Sequence, residues 1–236
     1  MPDGACTRVF RRSGKVCSQD FREGWHAHCC QGLSGLRTKA RHHPLVREWG
    51  HNLSLAGRII TIEQRDPSMG PNSRLDLVEH HSAAGGPAAY DVSAHTAFRA
   101  DPKFIEKCAK TPGHAATVGG EHKDSHQYKH RIPGSRLVPL TAEAGGRWHP
   151  TIPPLVRKLA KEYIWRTPGL EDDALGAIVA RWGARLSALL IRGNGVAVRA
   201  CCDLSWAASP HVDVPGHPFL HHLVPEGDCA YELLVS

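Results

Sequence analysis

A chain of 236 residues, 41% of them hydrophobic, can bury one good core with or without a small appendage and is too short for two full-sized domains. It has no unbroken run of eighteen apolar residues, and its first thirty residues are basic and cysteine-containing with no apolar signal core, so the expectation is an intracellular protein without a membrane span. Net charge is +6 and pI about 9.0, with 11 Lys and Arg against 5 Asp and Glu over residues 1–65 and none of either base after Arg199; a basic front half suits a polyanion, whose condensed counterions are released when Lys and Arg neutralise phosphates.

Eight cysteines are too few for a disulfide scaffold in a chain this long, and four lie within the first thirty residues, which points to metal binding instead. Residues 1–35 mix Cys, His, Gly and Arg without periodicity, as expected of a loop-rich element held by an external staple. The stretch "CSQDFREGWHAHCC" offers Cys17, His26 and Cys30, with His28 and Cys29 as nearby substitutes. A structural zinc site takes four ligands and usually opens on a closely spaced Cys pair. No such pair is present, because ten residues separate Cys6 from Cys17. A zinc site and a decayed, metal-free segment both fit this pattern.

From Leu36 to Ala56, Leu36, Leu45, Val46, Trp49, Leu53 and Ala56 fall near one helical face, and Gly57 marks a stop. Three strand segments follow, the β-branched "GRIITIEQ", then "SRLDLVEH" and "AAYDVSAH", the last two joined by "SAAGGP" as a hairpin connection. Residues 101–131 are polar, helical at "DPKFIEKCAK", interrupted by Pro112 and two glycines, and basic again at "EHKDSHQYKHR". "SRLVPLTAEAGG" reads as a further strand. Two helices come next: "PPLVRKLAKEYIW", with its prolines in the first turn, and "PGLEDDALGAIVARWGARLSALLIRG", with Glu171, Asp172 and Asp173 against the helix dipole. From Asn194 onward no apolar pattern repeats, and the tail is read as irregular. Helix, three strands, helix, strand and two helices predict a mixed sheet with helices packed on it.

Asp76 and Asp91 each sit inside an apolar strand, "LDLV" and "YDVS", with fourteen residues between them. A buried, unpaired carboxylate is costly, so each marks either a strand end reaching solvent or a site. Mg²⁺ takes few protein carboxylates and keeps several waters, so two aspartates on paired strands suffice to hold it. Glu63, on the preceding strand, is a third acid for such a site or an ordinary solvent-facing residue.

Taken together, "RHHPLV", "TIEQRDP", "RLDLVEHH", "AYDVSAH", "KDSHQYKH" and "RLVPLTAEAGGRWHP" resemble the restriction-endonuclease-like domain at the C-terminal end of reverse transcriptases of site-specific non-LTR retrotransposons, within the PD-(D/E)xK nuclease superfamily. The resemblance covers roughly residues 15–192 and rests on the order of weak motifs. It divides the chain into a zinc-knuckle-like segment at 1–35, an endonuclease-like domain at 36–150, a helical extension at 151–193 and an irregular tail at 194–236. With no polymerase segment in view, the expectation is a piece of a longer element protein.

The resemblance implies a restriction-endonuclease-like α/β fold and a Mg²⁺-dependent nuclease that nicks double-stranded DNA, leaving a 3′-hydroxyl to prime reverse transcription. Its partners would be DNA and element RNA, and its place of action the nucleus. Asp76 and Asp91, with Glu63, would hold Mg²⁺, and Lys123 or Lys129 would assist the water. Arg41, His42, Arg74 and Tyr128 would contact substrate, and Cys17, His26 and Cys30 would belong to a zinc knuckle. Two positions depart from the pattern. Leu75 replaces the family's proline, and Ser93 stands where the wider superfamily carries lysine, the basic group coming from the following helix instead. A catalytically inactive DNA-binding remnant is the rival expectation.

Overall fold

In the computed structural model, which describes residues 6, 14–17, 26–30, 33–65, 74–80, 86–97, 101–127 and 136–207, the apolar stripe read over residues 36–56 forms helix in consecutive pieces. A short α1 (His26–Cys29) precedes α2 (Ser34–Arg37), a π-helical turn (Thr38–His42) and α3 (His43–Leu55). Pro44 has no N–H to return to the preceding turn, and just before it the turn widens so that the His43 N–H reaches back five residues to the Thr38 carbonyl. The two histidines at its end, His42 and His43, both reach the sheet.

The strands are β1 (Ile60–Arg65), β2 (Arg74–Glu79), β3 (Ala88–His95) and β4 (Arg136–Glu143), in the spatial order β1-β2-β3-β4. β1, β2 and β3 pair antiparallel in succession, and β4 joins β3 parallel. The expected hairpin, crossover and mixed sheet are therefore present. Two helices lie within the crossover where one was read: α4 (Pro102–Lys110), capped by the Asp101 carboxylate on the Lys103 N–H at 3.0 Å, and α5 (His114–His122).

The glycines that looked like breakers in α5 are contact points. A Cβ on Gly119 would lie 2.3 Å from the His95 ring, and Gly120 faces Pro139 at 3.0 Å. These glycines let the helix backbone approach the sheet. After β4 come α6 (Ile152–Arg166), a 3₁₀ turn (Asp172–Ala174) and α7 (Leu175–Ala207). The irregular tail read from Asn194 is corrected as far as Ala207, which is still helix, and residues 208–236 lie outside the described residues. By length and composition Asp172–Ala200 is apolar enough to cross a membrane, with mean hydropathy 1.4; in this fold its Trp182, Leu186, Leu190 and Ala197 are buried.

Period-two alternation decides what each face of the sheet carries. Tyr90, Val92, Leu140 and Ala142 join the core built with Trp49 and Leu53 of α3, Leu159 of α6 and Leu186 of α7. On the opposite face of β4, Thr141 donates to the Ala116 carbonyl at 3.0 Å, and Glu143 accepts the Ala115 N–H at 3.0 Å, which seats α5. The sheet thus has helices on both faces. At the other end of β2, Arg58 joins the buried Glu79 at 2.6 Å to Glu162 at 2.6 Å, and the Tyr90 hydroxyl donates to Glu79 at 2.5 Å.

Candidate functional site

The strand register aligns three carboxylates. Ile62 pairs with Leu77 and Gln64 with Leu75, which sets Glu63 across from Asp76. Leu77 pairs with Tyr90 as the last step of the β2–β3 ladder, so Asp76 and Asp91 are the next residues to face one another. Like charges opposite each other on neighbouring strands repel. Basic side chains should gather there, and four do.

Lys123, at the C-terminal end of α5 where a second π-helical turn (Lys123–Gln127) begins, places its ammonium on Asp91 Oδ2. The Asp91 side chain is 2% exposed and that of Lys123 16%, so this pair is shielded from water. Asp76 lies where β2 and β3 separate, and its Oδ2 accepts the Val92 N–H at 2.7 Å in place of a ladder bond. His42 completes the group with Nε2 at 3.2 Å from Asp76 Oδ1 and Nδ1 at 3.0 Å from the Val92 carbonyl. Both ring nitrogens face acceptors, an arrangement that only the doubly protonated imidazolium satisfies.

The titration of His42 agrees with this geometry. Burial pulls its pKa down, but the hydrogen bond to Asp76 and the charges of Asp76 and Asp91 overcome burial and the opposing Lys123, so the value is raised above 6.5. A group whose pKa rises on folding stabilises the fold fully below its unfolded value. That contribution is lost as pH climbs through the folded value. Chemical denaturation of the metal-free protein from pH 6 upward should therefore show a stability loss that is absent in His42→Gln; identical pH profiles would contradict the imidazolium assignment.

The outer pair is looser. His43 Nδ1 lies 3.1 Å and Arg74 Nη1 3.3 Å from the two oxygens of Glu63, whose φ of 54° is rare for a residue with a side chain. Among the described residues, no three carboxylate or imidazole groups of this row close on one point, so Glu63 is a neighbour of the Asp76–Asp91 pair and is held by His43 and Arg74.

The paired residues Arg41 and His42 separate in role. Arg41 Nη1 donates to Asn194 Oδ1 at 2.8 Å, and Asn194 Nδ2 to the Ala144 carbonyl at 2.6 Å. Gly193 makes this approach feasible, since a Cβ there would lie 2.5 Å from Arg41 Cβ. Burial, then the charge of Arg37, lowers the Arg41 pKa to about 10. Arg41 docks the first π-turn on α7, and His42 is the member of the pair that meets the carboxylates. Ser93 bonds His95 at 3.0 Å, and the amine on Asp91 comes from Lys123. Lys129 and Tyr128 lie outside the described residues.

A second group of ligand-type side chains lies at the N-terminal segment. Cys6 Sγ, Cys17 Sγ, a ring nitrogen of His26 and Cys30 Sγ all fall within 4.8 Å of one another, and all four residues are buried. Cys6 and Cys30 are 3.8 Å apart, beyond disulfide length, and Cys17 is 3.4 Å from His26 Nε2. Burial, then Arg37, lowers the His26 pKa, favouring the neutral imidazole that binds metals. Three thiols and one imidazole can hold a metal ion. Cys6 is the fourth ligand that spacing left out, and only the tertiary fold brings it to the others. Ala27, Leu33, Val198 and Ala200 enclose this group, tying the segment to α7.

No protein-family model matches the chain, and no curated protein matches it.

Proposed function

We propose that the chain is a Mg²⁺-dependent DNA endonuclease domain with a restriction-endonuclease-like fold, of the kind that nicks target DNA for a non-LTR retrotransposon. The observation that carries this reading is the meeting of Asp76, Asp91 and Lys123 where two antiparallel strands part. Two facing carboxylates are the donor set Mg²⁺ takes from a protein, and they would hold it here. When bound, Mg²⁺ supplies polarisation of a phosphoryl oxygen and a more acidic water.

The chain's own residues do the rest. Lys123, whose ammonium lies on Asp91 Oδ2, would offer its charge to the scissile phosphate, where negative charge develops. His42 keeps Asp76 oriented through Nε2 while its Nδ1 stays anchored to the Val92 carbonyl. Arg74, half exposed beside Glu63, and the basic residues of the front half would meet the DNA backbone. Leu75 is compatible with this reading: its backbone pairs with Gln64, and its side chain is buried with Val78, Ala89 and Leu137.

The Cys6, Cys17, His26 and Cys30 group fits zinc, which prefers a closed tetrahedral set of thiolates and imidazole. Protein purified without chelator should contain stoichiometric zinc by elemental analysis, and Cys6→Ala should lose it and melt at lower temperature. Metal-free wild-type protein of unchanged melting temperature would contradict this.

A second reading has one observation in its favour. Both aspartates are already satisfied by cations of the chain itself, as expected of a DNA-binding remnant that no longer takes a metal. Supercoiled plasmid distinguishes the two. The nuclease reading expects Mg²⁺-dependent nicking that stops on chelation. Retention of DNA that weakens with salt, without any nicking, would support the remnant.

A further inference from the structure

The basic front half is not the one place where the fold gathers positive charge. Between Leu175 and Cys202, α7 carries Arg181, Arg185, Arg192 and Arg199 and no lysine, aspartate or glutamate. All four arginines are exposed, and the Arg185 side chain remains 54% exposed with one nitrogen 2.9 Å from Glu48 Oε2. Their spacing in sequence places them together. At about 100° and about 1.5 Å per helical residue they fall within about 40° of one another round α7 and extend over about 27 Å along it. The helix is held by Trp182, Leu186, Leu190 and Ala197, which are buried, so this row stands on a fixed support. Asn194, which bonds Arg41 of the turn bearing His42, lies about 200° round the helix from Arg192, so the row faces away from that turn.

Like charges four residues apart on a helix, such as Arg181 and Arg185, repel, and a polyanion laid along the row removes that repulsion. The composition of the face selects the polyanion. Arginine presents a planar fork that grips two phosphate oxygens at once. Beside the row stand Ala177, Ala184, Ala188 and Gly195, all exposed, so no taller side chain on that flank holds a phosphate ridge off the helix. No hydroxyl or amide side chain is exposed between residues 175 and 200, and apart from the guanidinium groups nothing there can bond a base edge or a 2′-hydroxyl. A lipid surface fits less well. A helix lying in a membrane buries large apolar residues, whereas here those residues are in the core, and the exposed Ile191 and Val196 stand singly on opposite flanks of the row.

We propose that the outer face of α7 docks double-stranded DNA through its phosphates, without regard to sequence, along about eight base pairs at about 3.4 Å each. This contact needs neither the aspartates nor a metal and is independent of the nuclease reading.

Fluorescence anisotropy of the full chain in EDTA, with a labelled mixed-sequence DNA duplex of about twenty base pairs, tests it. The logarithm of affinity should fall linearly with the logarithm of salt concentration, and Arg181→Gln combined with Arg192→Gln should make that slope shallower by about two at an unchanged melting temperature. Arg157→Gln combined with Lys158→Gln removes the same charge from the exposed side of α6 and should leave the slope within about half a unit of the wild type. If the α7 double variant does not fold, Arg181→Gln and Arg192→Gln decide singly, each expected to be shallower by about one. An unchanged slope in the α7 variants, or an equal loss in the α6 control, would overturn the proposal, because the attraction would then be diffuse. Tighter binding to phosphatidylserine vesicles or to duplex RNA than to the DNA, or displacement of the DNA by polyglutamate at equal charge concentration, would overturn it in favour of a membrane, an RNA or an acidic protein.

Discussion

Asp91→Asn should reduce Mg²⁺-dependent nicking by roughly a thousandfold or more, the rate equivalent of the several kcal/mol that a metal-held charge contributes in the transition state. The substitution keeps the side chain's size and removes only its charge, leaving Asp76 alone to hold the cation. It also strands the Lys123 ammonium, which at 16% exposure still reaches water in part. Lost activity could therefore reflect a weakened fold unless a control separates the two. Asp91→Asn combined with Lys123→Met removes both charges, and exchanging a buried ion pair for uncharged groups is often close to neutral for stability. The double variant should melt near the wild type and remain inactive. Nicking at the wild-type rate by a folded Asp91→Asn protein would sink the nuclease assignment.

Arg58→Met should destabilise the protein by about 3–5 kcal/mol, the usual consequence of removing one member of a buried ionic group. Glu79 is 1% exposed, with one oxygen taken by Arg58 at 2.6 Å and the other by the Tyr90 hydroxyl at 2.5 Å. Burial, then the bond to Glu79, pushes the Tyr90 pKa up, so the hydroxyl stays protonated and cannot replace the missing cation. Glu162, bound by Arg58 Nε at 3.0 Å and Nη2 at 2.6 Å, loses its partner as well but is 27% exposed and can turn to solvent. The melting temperature should fall by on the order of 10 °C for a chain of this size. Adding Glu79→Gln should recover much of the loss, because the bare charge is then gone. A loss below about 1 kcal/mol would mean that water reaches Glu79 in solution, contrary to its burial in the fold.

The two aspartates show how far local pattern carries. Alternation around Asp76 and Asp91 and the glycine-rich link between them were enough to place both on a hairpin, and the hairpin register makes them face each other. Lys123 was legible only as one of two candidate bases, since its reach to Asp91 depends on how α5 lies on the sheet. α5 itself was hidden, because Gly119 and Gly120 oppose helix by propensity and are favoured there by contact with His95 and Pro139, which no window of sequence contains. That His42 meets Asp76 while the adjacent His43 meets Glu63 turns on the widened turn before Pro44. Cys6 was set aside for the opposite reason. Ligand spacing rules describe compact loops, whereas this group is assembled across separated segments against α7. The continuation of α7 past Asn194 was obscured by small and polar residues, although Gly193 and Asn194 are where Arg41 docks.

The enclosure of the cysteine group by Val198 and Ala200 has a consequence for biosynthesis. Cys30 leaves the ribosome well before the helix that covers it, and at typical elongation rates the interval is roughly ten to thirty seconds. During that time the three thiols and their apolar neighbours have no lid, and oxidants, foreign metals and other nascent chains compete for them. A chain terminated before Val198 would keep them in that state. Stalled or truncated products should therefore be distinguishable from the finished protein by rapid alkylation of Cys6, Cys17 and Cys30.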